Sequence, residues 1–288
     1  MKTIVVLTDF TEKANHAAEY AFRLAEDLKA QLLLYNTYYL PQAFVAESGA
    51  MESDEEHNVY KEQSMQKLST LAAQLERKYR RNMNSHIPSI SFETGDGTFE
   101  ENLRRVQFKS EILMIVMGDQ GSGGFFNNLV FGRETEQTLK NARYPVLLVP
   151  EGVHYHSFKK IALALNTSDD ATANALNYVT EVARHFYAEV ILLHVSPQNG
   201  DDEDSDKLLK NFNKIYETIN YENITFRNIS ENKVASALLH YSKLNEVGMI
   251  CLINKHHAFY EYLTHKSVIK QMMEHQNLPL LIIPGEEK

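Results

Sequence analysis

The chain has 288 residues, 43% hydrophobic and 23% charged, with a formal net charge of −9. That is a globular composition, long enough for two domains that each bury a core, and its acidity argues against nonspecific nucleic-acid binding, which needs clustered Lys and Arg. No apolar run nears the ~20 residues of a membrane span, the N-terminus reaches a charge too early for a secretory signal, and the one cysteine, Cys251, permits no internal disulfide. A cytoplasmic protein without redox chemistry, membrane or nucleic-acid partner is expected.

In chain order, short apolar runs alternate with segments of helical period. The first half predicts strands near 3–9, 31–37, 88–93, 111–117 and 145–149. Runs without polar alternation suit strands buried on both faces, and their alternation with helices implies a parallel sheet. Between them, Ala14, Ala17, Ala18, Ala21, Phe22, Ala25 and Leu28 form one apolar stripe of small residues. Met65, Leu68, Ala72, Leu75 and Tyr79 predict a long second helix, and Phe99, Leu103 and Val106 a short third. Leu40 to Asp54 reads as an irregular loop, and Glu151–Ser157 as a linker.

The second half repeats this plan, with strands near 160–166, 189–195, 223–227, 248–253 and 279–283. Lys2–Thr11 returns as Lys159–Ser168, and Pro145–Pro150 as Pro279–Pro284. The period is far longer than that of stacked-repeat proteins, so a whole domain is duplicated, at 1–150 and 158–288. An acidic loop, Asn199–Asp204, marks the second copy.

Open parallel sheets bind ligands beyond the carboxyl ends of their strands. On that side the first half places Asp9, Gly118-Asp119-Gln120-Gly121 with Gly123 and Gly124, and then Gly132-Arg133-Glu134 opening a helix. Glycines let backbone amides approach a phosphate chain, and a helix N-terminus adds amides and a positive dipole end. In the second half Asn166 replaces Asp9, and Asn254–Tyr260 has no glycine.

These residues resemble the universal stress protein family: Asp9-x-Thr11, Gly118-x-x-Gly121 and the Pro-Val-Leu-Leu-Val ending carry the likeness. The resemblance implies an α/β fold of two tandem open five-stranded parallel sheets flanked by helices, adenine nucleotide alpha hydrolase-like and Rossmann-like, packed as an intramolecular pseudo-dimer that could dimerise further. It also implies a stress-response protein whose N-terminal domain binds ATP, with Mg²⁺, or a related adenine nucleotide as a regulatory ligand read by a protein partner, with no cofactor expected in the C-terminal domain. Asp9 would then meet the ribose or a metal-bound phosphate, and Thr37 would border the base. Gly118, Gly121, Gly132 and Arg133 would surround the phosphates, with Thr8, Met117 and Glu134 beside them. The family motif is G-2x-G-9x-G-(S/T); here ten residues separate Gly121 from Gly132, and Arg133 stands at the hydroxyl position. Arg133 either adds a charge-assisted bond to phosphate or occupies the phosphate site. Without the ligand, Asp9 would cap the first helix and the glycines would only turn the chain.

No nucleophile elbow or Walker loop is present, so a binding protein rather than an enzyme is expected. His154-x-His156 and the group His256, His257, His265 and His275 read as solvated or capping residues rather than metal ligands. The rival reading is an interaction scaffold, or a binder of another small ligand, presenting the long helix and the acidic loop to partners.

Overall fold

The computed structural model describes residues 2–38, 54–79, 87–107, 111–118, 133–165, 170–198, 216–217, 219–254, 268–269, 271–272 and 278–285. The acidic loop, most of the stretch read as Leu40–Asp54, and His256, His257, His265 and His275 lie outside these residues. By its internal contacts the chain falls into two compact units, one holding the described residues as far as Val146 and the other those from Leu147 onward.

The first unit contains β1 (Thr3–Leu7), α1 (Glu12–Leu28), β2 (Gln31–Tyr38), α2 (Asp54–Tyr79), β3 (Ile90–Asp96), α3 (Phe99–Gln107), β4 (Ile112–Gly118) and α4 (Arg133–Asn141). Its strands run parallel in the order β3-β2-β1-β4. Every residue of β1 and β4 is buried, as their unbroken apolar runs require when helices cover both faces. The alanine stripe of α1 is buried throughout, and its small side chains let the helix lie close to the sheet. In α2 the face Leu68, Leu71, Ala72 and Leu75 is buried, whereas residues 58–63 are exposed. The tie between these helices is aromatic: Tyr79 stacks on Phe22 at 5.3 Å, and Lys78 pairs with Glu19 at 2.6 Å.

A short strand, β5 (Val146–Val149), carries the chain from the first unit into the second. There follow β6 (Lys160–Leu165), α5 (Asp170–Phe186), β7 (Glu189–Ser196), β8 (Ile224–Ser230), α6 (Val234–Leu244), β9 (Met249–Asn254) and β10 (Leu280–Pro284). These strands are also parallel, in the order β10-β9-β6-β7-β8. Cys251 is fully buried in β9, and burial pushes its thiol well above the usual range, so it is unreactive.

Most strand ends shift by a residue from the sequence reading, and β8, read as 223–227, runs on to Ser230; the shifts that bear on the site are in β1, β2 and β3. β1 stops at Leu7, so Thr8 and Asp9 belong to the turn that follows; β2 runs on to Tyr38, which puts Thr37 inside the strand. β3 begins and ends later than 88–93, because Glu93-Thr94-Gly95-Asp96 stays paired with Tyr35–Tyr38 instead of turning. Among the described residues no helix is long and apolar enough to cross a membrane.

Candidate functional site

β1 lies between β2 and β4, and the next strand after β2 is added on the far side of β2, so the chain's direction across the sheet reverses at β1. Such a reversal opens a crevice at the carboxyl ends of the strands. The first unit has a solvent-open pocket there, with about 410 Å³ of empty space when the open solvent at its mouth is included. Thr8 and Asp9 after β1, Asn36 and Thr37 on β2, Met117 and Gly118 on β4 and Phe99 opening α3 line it, with Leu7, Ala14 and Tyr35.

The turn from β1 into α1 is built by short side-chain bonds. Asp9 Oδ1 accepts both the Thr11 amide at 3.0 Å and the Thr11 hydroxyl at 2.6 Å. Thr11, not Asp9, is the N-cap: its Oγ1 accepts the Ala14 amide at 3.2 Å. Asp9 therefore braces the cap and is itself exposed at the pocket. Phe10 between them is left-handed, at φ 66°, a conformation that costs a side-chain-bearing residue about 1–2 kcal/mol. Its amide donates to Thr8 Oγ1 at 3.0 Å, and Lys67 Nζ lies 5.3 Å over its ring. The strain is held at the point where the chain turns Asp9 toward the crevice.

Gly118 ends β4 against the first turn of α1. An added Cβ would lie 2.6 Å from the Lys13 carbonyl oxygen, so only glycine permits that approach.

Beneath the pocket lies a buried polar network. The Asn36 amide donates to the Thr8 carbonyl at 2.7 Å and its Oδ1 accepts the Ser64 hydroxyl at 2.7 Å. Thr94 Oγ1 lies 2.7 Å from Ser64 Oγ and donates to the Asn36 carbonyl at 3.0 Å. On the other face of β2 the Tyr35 hydroxyl donates to Asn102 Oδ1 at 2.9 Å, while Asn102 Nδ2 donates to the Asp96 and Thr98 carbonyls at 2.7 and 3.1 Å. Burial first, and Glu93 next, push the Tyr35 hydroxyl up to about 12, so it stays a neutral donor.

Of the residues singled out from sequence, the pocket brings together Thr8, Asp9, Thr37, Met117 and Gly118. Gly121 and Gly132 lie outside the described residues; Arg133 and Glu134 open α4, and their side chains are not described. Sequence reasoning missed Asn36, Tyr35 and Phe99. Asn36 carried a signal, an amide following the apolar run Leu32–Tyr35, but its partners Ser64 and Thr94 are remote in sequence. Among the described residues no group of three or more His, Cys, Asp or Glu could hold a metal ion. His154 and His156 are both exposed.

The model of the universal stress protein family matches residues 1–150, just over half of the chain. The chain belongs to the universal stress protein family. Among solved structures it is similar to a universal stress protein from Archaeoglobus fulgidus DSM 4304, 16% identical with a TM-score of 0.73, the match covering 98% of each chain. It is also similar to a putative universal stress protein from Pseudomonas aeruginosa UCBPP-PA14, 10% identical with a TM-score of 0.57, covering 99% of this chain and 94% of that one. The cytoplasmic domain of a prokaryotic cation chloride cotransporter is 11% identical with a TM-score of 0.60, over 99% and 96% of the two chains. At such identities the likeness is one of fold. A search of curated proteins found no match.

Proposed function

We propose that the first unit of this universal stress protein binds an adenine nucleotide, ATP with Mg²⁺, as a regulatory ligand in a cytoplasmic stress response, its occupied state being read by a protein partner. One observation carries the reading: at the reversal of the sheet, a pocket is lined by Thr8, Asp9 and Thr37 on one side and Met117 and Gly118 on the other. Its apolar and neutral polar walls suit a base and a ribose, and Asp9 is the carboxylate placed to meet ribose hydroxyls or a phosphate-bound cation. We read the protein as a binder rather than a catalyst, because Oδ1 of Asp9 is engaged by Thr11 and the rest of the described lining carries neutral side chains.

The test is to purify the protein without added nucleotide, denature it and identify what is released by mass spectrometry. The stripped protein is then titrated with ATP and Mg²⁺. Asp9→Asn keeps the oxygen that braces Thr11, so it should melt within a few degrees of the parent, yet bind ATP about tenfold more weakly if Asp9 contacts the ligand. At ~100 times its dissociation constant, ATP should add about 2.7 kcal/mol of stability to the parent. No released nucleotide and no response to ATP would refute the reading. That result would favour a partner-binding scaffold, for which the exposed Val59 and Tyr60 on the first turns of α2 provide a surface.

A further inference from the structure

Asn36 lines the pocket and is 7% exposed, and both ends of its amide are fixed. Oδ1 accepts from Ser64, and one hydrogen of Nδ2 goes to the Thr8 carbonyl, which can only accept. This pair of bonds sets the orientation of the amide and leaves the second Nδ2 hydrogen without an acceptor among the described residues. A buried donor without a partner is costly, and so an acceptor from outside the protein is favoured there.

The second unit has the same construction in the same register. Leu165 pairs with His194 at the end of β6 and β7, and the His194 ring donates through Nδ1 to the Leu165 carbonyl at 3.2 Å, as Asn36 does to Thr8. In a neutral imidazole whose Nδ1 carries the hydrogen, Nε2 has a lone pair and no hydrogen. The two units thus differ at one position, an amide with a spare hydrogen at Asn36 and at His194 an imidazole, whose Nε2 offers a lone pair when the ring is neutral.

We propose that Asn36 is a specificity-determining residue of the first-unit pocket, donating its second Nδ2 hydrogen to a ring nitrogen of the bound base. The inference rests on the nucleotide reading above and names the chemistry that the ligand must present: an aromatic heterocycle with an acceptor, not a donor, facing the end of β2. Because Oδ1 is engaged by Ser64, the fork that an asparagine uses to grip a neighbouring amine and ring nitrogen is unavailable, and a single acceptor is read.

The experiment is calorimetric titration of the stripped protein with ATP and with 1-deaza-, 3-deaza- and 7-deaza-ATP, each of which replaces one ring nitrogen by C–H. One of the three should bind the parent about tenfold more weakly than ATP, the other two within about twofold. Asn36→His copies the second unit's solution, keeping the bond to the Thr8 carbonyl while presenting a lone pair. At pH 8, where an ordinary imidazole is neutral, it should abolish the deficit of that analogue or reverse it. If ATP binds and all three analogues match it, the inference fails while the nucleotide reading stands. The same holds if the deficit persists in a folded Asn36→His protein. If ATP does not bind, both fail. The comparison in the parent protein needs no variant, so a misfolded substitution leaves the proposal testable.

Discussion

Gly118 and Gly95 both stand where a methyl group would collide, but what they meet differs. At Gly118 the obstacle is backbone, the Lys13 carbonyl oxygen, which moves only if the first turn of α1 moves. At Gly95 the obstacles are the Asn102 Oδ1 and Tyr35 hydroxyl of the lock between β2 and α3. Gly118 is therefore a packing requirement whether or not a phosphate lies nearby. We expect Gly118→Ala to lower stability by about 1–3 kcal/mol in denaturant unfolding and to displace the Asp9 turn with α1. A wild-type unfolding midpoint would contradict the close approach. Sequence placed this glycine at the carboxyl end of the sheet, but its packing against Lys13 was not legible, because the motif shows a glycine without showing what it touches. Asp9 was legible as a residue of the carboxyl end of the first strand, whereas its role as a brace for Thr11 depended on which of two neighbouring polar residues adopts the cap geometry.

Among elements, the apolar runs were the most legible, because a strand buried on both faces leaves little room for polar residues. Their ends were less so. β3 runs through Gly95 because Thr94 joins Asn36 and Ser64, and because Asn102 fastens the turn at Asp96 to α3, contacts that no local pattern encodes. The Tyr35–Asn102 bond also gives this assembly a pH limit. The folded hydroxyl titrates near 12 rather than at its ordinary value of 10.0, raised by burial and then by Glu93, so the folded state favours the protonated phenol. A raised folded value means stability that is complete below about pH 10 and lost as pH rises through about 12. The deprotonated oxygen would then face the Asn102 oxygen, with Glu93 and Asp96 nearby. Tyr35→Phe, which leaves Asn102 Oδ1 unpaired, should cost about 1–3 kcal/mol at pH 8. The gap between parent and variant in denaturant midpoint should narrow between pH 10 and 12. A gap of constant size across that range would rule out Tyr35 as the titrating group.

Across the whole molecule, duplication explains why so much was readable twice, and the register shows where the copies part. The Ile115 amide donates to the Pro145 carbonyl and the Ile250 amide to the Pro279 carbonyl, so Ile115 and Ile250 hold the same place in their units. Counting three residues on from each, Gly118 corresponds to Ile253. Where the first unit has no side chain, so that α1 can approach the end of β4, the second carries a branched, half-buried one at the end of β9. Beside it, His194 stands where the first unit has Asn36. Both changes alter the crevice end of the sheet: a side chain takes the place of the bare backbone of Gly118, and an imidazole that of the Asn36 amide. A nucleotide that occupies the first pocket should therefore find no equal in the second. Calorimetric titration with ATP and Mg²⁺ should give one site per chain rather than two. Asn36→His should weaken that single site without revealing another of comparable affinity. Two equal sites would mean that neither Ile253 nor His194 bars the ligand, and that the division between the units lies elsewhere.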